Sequence, residues 1–274
     1  MQPTERFYEA DAYRTSASSV ITAALPLEGG GGRIALAGTV FYPEGGGQPA
    51  DRGVLTLPGG ASLAVTDVHE TEGVIWHRVD RLPPDAAPGV PVDQQIDWAW
   101  RFDKMQQHTG EHILSGTLHR LFGAENVGFH IGSEAVRMDT SVPISPEGLR
   151  QAETEANRFV WQDLPVRVLY PSPEQLAHMT YRSKKEIAGQ VRIVAIPGAD
   201  TCACCGTHTA TTGQVGLIKI VSAERYKGGM RLAVLCGGRA LAEMQAMQAR
   251  QGEIVAELSA KPAETAHAVR RVHA

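Results

Sequence analysis

The segment WAWRFDKMQQHTGEHILSGTLHRLFG, residues 98–123, decides how the chain is divided. Ile113, Leu114, Leu118, Leu121 and Phe122 recur at helical spacing and Gly123 follows as a stop, so the run predicts a buried helix. The texture on its N-terminal side is different. SSVITAAL (18–25), GRIALAGTVFY (32–42), GVLTL (53–57), SLAVTDVHE (62–70) and GVIWHRVD (73–80) are short runs split by Gly and Pro clusters. They predict strands, and together an antiparallel β-barrel-like domain over residues 1–95. GGGG at 29–32 reads as a hairpin tip, and RLPPDAAPGVPVD at 81–93 as a linker or barrel-closing loop.

On the C-terminal side, a second helix is predicted from Ser145 through EGLRQAETEANRFVWQ (147–162). The strand PVRVLYP (165–171), the short helix SPEQLAHM (172–179) and the strand QVRIVAIPG (190–198) come next. QVGLIKIVSAERYKGG (214–229) and MRLAVLCGG (230–238) then close what reads as a mixed sheet. The expected fold class is therefore α+β: the barrel-like domain, an α+β domain over 96–238, and a C-terminal helical segment over 239–274. That last segment, RALAEMQAMQARQGEIVAELSA and KPAETAHAVRRVHA, has high helix propensity and a heptad-like scatter of Leu, Met and Ile. It reads as a protruding helix or the root of a coiled coil.

With 274 residues, 43% hydrophobic and 20% charged, the chain can bury a substantial core, which excludes a disordered protein. The opening MQPTERFYEADAYR has no apolar signal-peptide core and no run of 18 apolar residues occurs, so the expectation is a cytoplasmic protein without a membrane partner. Cys202, Cys204 and Cys205 crowd together with Cys236 far away, a pattern for metal or thiol chemistry in a reducing compartment rather than a disulfide framework. The net charge of −4 excludes a global basic field, so any RNA contact is local. Arg182, Lys184 and Lys185 in YRSKKE are candidates, with Lys219, Arg225, Lys227 and Arg231 further on.

His108 and His112 stand four apart on the predicted helix and so share a face within reach of one ion. Ten histidines in 274 positions would give about 0.4 such pairs by chance, so the pair needs a second one beside it. CCGTH supplies it, with Cys204 and His208 flanking a Gly-Thr turn. Thiolate and imidazole together suit zinc, and Cys202 and Cys205 are rival sulfur ligands. HTGEH also fits the H-x-x-E-H signature of inverted zinc peptidases with Glu111 as general base, although such a peptidase needs a carboxylate as third ligand. In FYPEGGGQPADRG (41–53) three glycines permit close backbone approach to a ligand, and Gln48 offers both a donor and an acceptor; a plain hairpin turn is the competing reading.

FYPEGGGQPADRG, QQHTGEHILSG, CACCGTH, TGQVGLIKI and ERYKGGMRL, in that order, resemble the alanyl-tRNA editing proteins, free-standing relatives of the alanyl-tRNA synthetase editing domain. The resemblance covers roughly residues 5–240, and with YRSKKE it is to the long form that carries a C-terminal coiled-coil extension. It implies one zinc ion held by His108, His112, Cys204 and His208 between a barrel-like part and an α+β editing domain. It implies Thr39 and Gln48 as walls of an aminoacyl pocket, Gly45, Gly46, Gly47 and Thr207 as substrate contacts, and Glu111 as a base or partner. The substrate implied is tRNA(Ala) carrying serine or glycine, cleaved at its ester and held by Arg182, Lys184, Lys185 and Lys227, with the C-terminal helix as an RNA or homodimer contact. Met230 departs from the valine common in related sequences. Four protein ligands make a closed site, so two roles for zinc stay open, activating water or organising the pocket. The zinc peptidase and a non-catalytic zinc-stabilised RNA-binding module remain the alternatives.

Overall fold

The computed structural model describes residues 1–183 and 189–272. Six strands close into a barrel in the order Ser16–Pro26, Gly32–Leu36, Val74–Val79, Ser62–Thr71, Gly53–Thr56 and Pro91–Ile96, every neighbour antiparallel. Alternation makes the interior: in Pro91–Ile96, Val92, Gln94 and Ile96 are buried while the residues between them are exposed. Ile21, Ile34, Leu36, Leu55, Leu63 and Ile75 fill it. Closure between Ser16–Pro26 and Pro91–Ile96, in register from Ser16 against Gln95, removes the sheet's open edges.

The long helix Trp98–Phe122 begins where Asp97 accepts the Trp100 N–H and ends at Gly123, whose φ of 63° is the left-handed cap that glycine takes without penalty. Its middle is buried all round, because the helix Pro146–Trp161, two sheets and the segment carrying Gln48 and Asp51 enclose it. One sheet has four strands, in the order Ile218–Tyr226, Gly229–Cys236, Val136–Thr140, Asn126–Ile131. The other has three, Arg167–Leu169, Ile193–Ile196 and Asp200–Ala203.

The expected mixed sheet is corrected here: the strands divide between two sheets, both antiparallel. Asn126–Ile131 and Val136–Thr140, not predicted, extend the hairpin 218–236 into the four-stranded sheet. The architecture is α+β with a closed six-stranded antiparallel barrel. At the C-terminus, Gly237–Glu257 is a helix from which only Ala240 is buried, and after a 3-10 turn the chain enters a second helix, Thr265–Val272. Among the described residues no helix is long and apolar enough to cross a membrane.

The barrel and the α+β half are joined through charge. Arg101, fully buried on the long helix, pairs with buried Asp51 and donates to the carbonyls of Val40 at 2.7 Å and Ala12 at 2.8 Å. Asp51 in turn accepts the Tyr42 N–H at 2.6 Å. Each buried charge thus has several partners, which a buried pair needs to offset its desolvation.

Candidate metal centre

The glycine run resolves into a tight hairpin. Gly45 and Gln48 exchange N–H to carbonyl bonds of 3.1 and 2.9 Å around Gly46 and Gly47, whose φ values of 59° and 82° are those of a type I′ turn. Gly47 sits against the four-stranded sheet: a Cβ there would lie 2.7 Å from the Phe129 carbonyl oxygen, and its own carbonyl accepts the Ile131 N–H at 2.8 Å. The turn thereby aims Gln48, fully buried, at the long helix.

His108 and His112 occupy one face of that helix, and CCGTH folds against it so that the side-chain donors of His108, His112, Cys204 and His208 lie within 4.8 Å of one another. Gly206 allows this, since a Cβ there would lie 2.1 Å from His108 Cε1. Each ring has an outer partner at Nδ1: Gln48 Oε1 for His108 at 2.8 Å, Asp200 Oδ2 for His112 at 2.8 Å, and Thr109 Oγ1 for His208 at 3.3 Å. With Nδ1–H donating outward, the neutral form of each ring keeps its lone pair on Nε2, facing inward. His108 Nε2 and His208 Nε2 are each 3.4 Å from Cys204 Sγ. Nitrogen and sulfur at two corners of a zinc tetrahedron are about 3.5 Å apart, so the donor set fits that ion.

The electrostatics agree. Burial opposes a Cys204 thiolate, but the His108 and His208 imidazoles beside it overcome this and hold its pKa well below the ordinary thiol range. Burial instead pushes Cys202 up to about 11 and raises Cys205. Burial lowers His208 to about 3, so its imidazole stays neutral. For His112, burial is outweighed by Asp200 and Cys204, which lift its pKa well above normal, charge that an entering cation would take over. Asp200 keeps a lowered pKa despite burial because His112 and Arg182 both donate to it.

The structure brings together Gln48, Thr207, His108, His112, Cys204 and His208. Gln48 Oε1 accepts the Thr207 N–H at 3.1 Å, and Gln48 Nε2 donates to Thr207 Oγ1 at 2.8 Å. Thr39 lies elsewhere in the hydrogen-bond pattern: its Oγ1 is 2.8 Å from His77 Nε2 and 2.9 Å from Gln94 Oε1, both barrel residues. Glu111 is buried on the helix and accepts from Asn126 Nδ2. Cys202 shares a donor group with His112 and Asp200 outside the four-donor cluster.

Among the expected RNA contacts, Lys227 is exposed at the tip of the hairpin 218–236, and Lys184 and Lys185 lie outside the described residues. Arg182 lines an open groove of about 550 Å³ with His119 and Arg120, and donates to Asp200 and Ser115. Asp200 was not singled out from sequence, although GADTCAC places Asp200, Cys202 and Cys204 at alternating positions that share one face of a strand.

Residues 191–232 match the threonyl and alanyl tRNA synthetase second additional domain, and residues 17–100 match tRNA synthetases class II (A). The chain is 34% identical over 214 residues to alanyl-tRNA editing protein AlaX-L of Pyrococcus horikoshii, which covers 77% of this chain and 53% of that protein. It is 35% identical to the alanine–tRNA ligase of Pyrobaculum neutrophilum over 98% of this chain and 31% of the ligase. Against the ligase of Pyrococcus abyssi it is 39% identical over 77% of this chain and 24% of the ligase. The chain therefore spans about half the length of the editing protein and less than a third of the ligases.

Fold, donor cluster and matches define a protein of the synthetase accessory-domain class. Within that class the chain belongs with the alanyl-tRNA editing proteins, as a relative of the alanyl-tRNA synthetase editing domain.

Proposed function

We propose that the chain is an aminoacyl-tRNA deacylase that clears serine, and also glycine, from tRNA(Ala), with one zinc ion held by His108, His112, Cys204 and His208. The observation that carries this reading is the convergence of three Nε2 atoms and one thiolate beside Gln48 and Thr207 of a loop and a turn that can face a small aminoacyl group. The similarity to an alanyl-tRNA editing protein and to alanine–tRNA ligases supplies the alanyl-tRNA connection. When bound, zinc supplies Lewis-acid polarisation of an ester carbonyl or of water.

The chain's own residues set the pocket. Gln48 fixes His108, and its amide N–H occupies a lone pair of Thr207 Oγ1, so the Thr207 hydroxyl proton is free to donate to an oxygen of the substrate. A serine side chain offers such an oxygen and an alanine methyl does not, which separates the seryl from the alanyl ester; glycine, which has no side-chain oxygen, gains nothing from this contact and must be admitted by its smaller size. Thr39 enters as a support of this wall: Phe41 N donates to its Oγ1 at 3.1 Å at the start of the segment that carries Gln48. Glu111, bonded to Asn126, fits a partner of the helix better than a general base, and this disfavours the H-x-x-E-H peptidase. The reading assigns the Gln48 side of the pocket to residues 1–95, the metal and Thr207 to 96–238, and RNA or self-association to 239–274, with cytoplasmic tRNA as the partner.

The test is loss of ester from seryl-, glycyl- and alanyl-tRNA(Ala) with and without prior metal removal. Selective, metal-dependent loss of the seryl and glycyl esters is expected. Sparing of all three while tRNA is still bound would favour the non-catalytic RNA-binding module.

A further inference from the structure

His112 is the ligand whose outer nitrogen meets a carboxylate. From its Nδ1 the contacts run 2.8 Å to Asp200 Oδ2, then from Asp200 Oδ1 2.8 Å to Arg182 Nε, then from Arg182 Nη2 2.7 Å to Ser115 Oγ. Ser115 is on the same helix as His112, three residues on, so the path leaves the helix, crosses the strand Asp200–Ala203 and returns. The His112 and Asp200 side chains are 4% and 2% exposed and that of Arg182 is 15%. Backbone bonds hold Arg182 in place from the same strand, its N–H donating to Thr201 and its carbonyl accepting from Ala203.

We infer that Asp200 and Arg182 are positioning residues of the metal centre: Asp200 fixes His112 with its proton on Nδ1 and its lone pair turned inward, and Arg182 fixes Asp200. The inference rests on the zinc reading above. A neutral imidazole has one lone-pair nitrogen, and the hydrogen bond at the other nitrogen selects which one it is. A carboxylate acceptor makes that selection and increases the basicity of the ligating nitrogen. Arg182 holds two different groups with its planar fork, Nε to Asp200 and Nη2 to Ser115, which a lysine cannot reproduce. Both Asp200 oxygens are thereby in use, so the neighbouring His112, Asp200 and Cys202 group is a support of the cluster and not a second metal site. Arg182 leaves the set of RNA-facing cations and joins the metal centre.

The experiment measures zinc affinity of the full chain by competition with a chromophoric chelator, and the visible spectrum after cobalt substitution. The variants are Asp200→Asn, Arg182→Ala and Arg182→Lys, with Lys227→Ala as reference. Asparagine keeps the shape of Asp200 but offers one acceptor oxygen to two donors, and equal unfolding midpoints of metal-free wild type and Asp200→Asn separate affinity from fold. Asp200→Asn and Arg182→Ala are expected to weaken zinc binding about 10–100-fold and alter the cobalt bands. Arg182→Lys recovers part of the loss, and Lys227→Ala leaves zinc affinity and the cobalt bands as in wild type. Binding of uncharged tRNA(Ala), read by filter retention, is expected to be unaltered by Arg182→Ala.

Unchanged zinc affinity and cobalt spectrum in Asp200→Asn would overturn the inference. So would an Arg182→Ala chain that loses tRNA binding and keeps its metal. Because the readout is metal binding, a chain that deacylates nothing yet shows these losses refutes the hydrolase and upholds the positioning pair.

Discussion

Gly206 is the residue at which a single methyl group has the largest leverage on the cluster. An alanine Cβ there would lie 2.3 Å from His108 Nδ1 and 3.0 Å from Gln48 Oε1, on the very hydrogen bond that orients the ring. Gly206→Ala is expected to displace His108 and weaken zinc binding about 10-fold or more, as loss of an outer-shell contact does. Isothermal titration checks this, and wild-type affinity in the variant would show that His108 is not held by Gln48. The four donors themselves were legible, because i, i+4 pairs are encoded within one helix turn or one loop. Asp200 was not, since its bond to His112 spans 88 residues and exists only once the three-stranded sheet has packed on the helix. Arg182 reads as a candidate RNA contact within YRSKKE for the same reason: its bonds to Asp200 and Ser115, 18 and 67 residues away, have no local signature.

At the scale of elements, periodicity identified the long helix and the tight-turned hairpin 218–236. It missed Asn126–Ile131, where half-exposed NVGFHI carries no clean alternation, and Val136–Thr140, where VRMDT alternates over only five residues. The barrel was foreseen as barrel-like, but its seal pairs Ser16 with Gln95, a long-range choice made by packing. Inside that barrel, His77 on Val74–Val79 is fully buried, held by Ile34 O at 3.0 Å and by Thr39. Burial lowers its pKa from 6.5 to about 4. Between those values the unfolded chain takes up a proton that the folded barrel refuses. The contribution of His77 is therefore complete above pH 6.5 and shrinks as pH falls toward 4, by on the order of 3 kcal/mol across the window. Urea unfolding of wild type and His77→Gln at pH 7 and pH 4.5 checks this. The expected result is a smaller pH effect in the variant, and equal pH effects would contradict it.

For the molecule as a whole, Arg101 and Asp51 decide how firmly the barrel and the α+β half are joined. Arg101→Met leaves Asp51 charged and buried, and is expected to cost about 3–5 kcal/mol, while adding Asp51→Leu restores much of it. Denaturant midpoints for the single and double variants measure this; a single variant as stable as wild type would mean that the halves are joined by other contacts. The bond between Gln48 and His108 crosses the same junction and carries a different consequence. All four donors of the cluster belong to the α+β half, yet the group that selects which nitrogen of His108 faces the other three is Gln48, from the segment that leaves the barrel. A chain whose two halves have not docked would own every ligand and lack the instruction for using one of them. On the zinc reading, metal capture would act as an inspection of assembly, passed only by a molecule whose distant parts have already met.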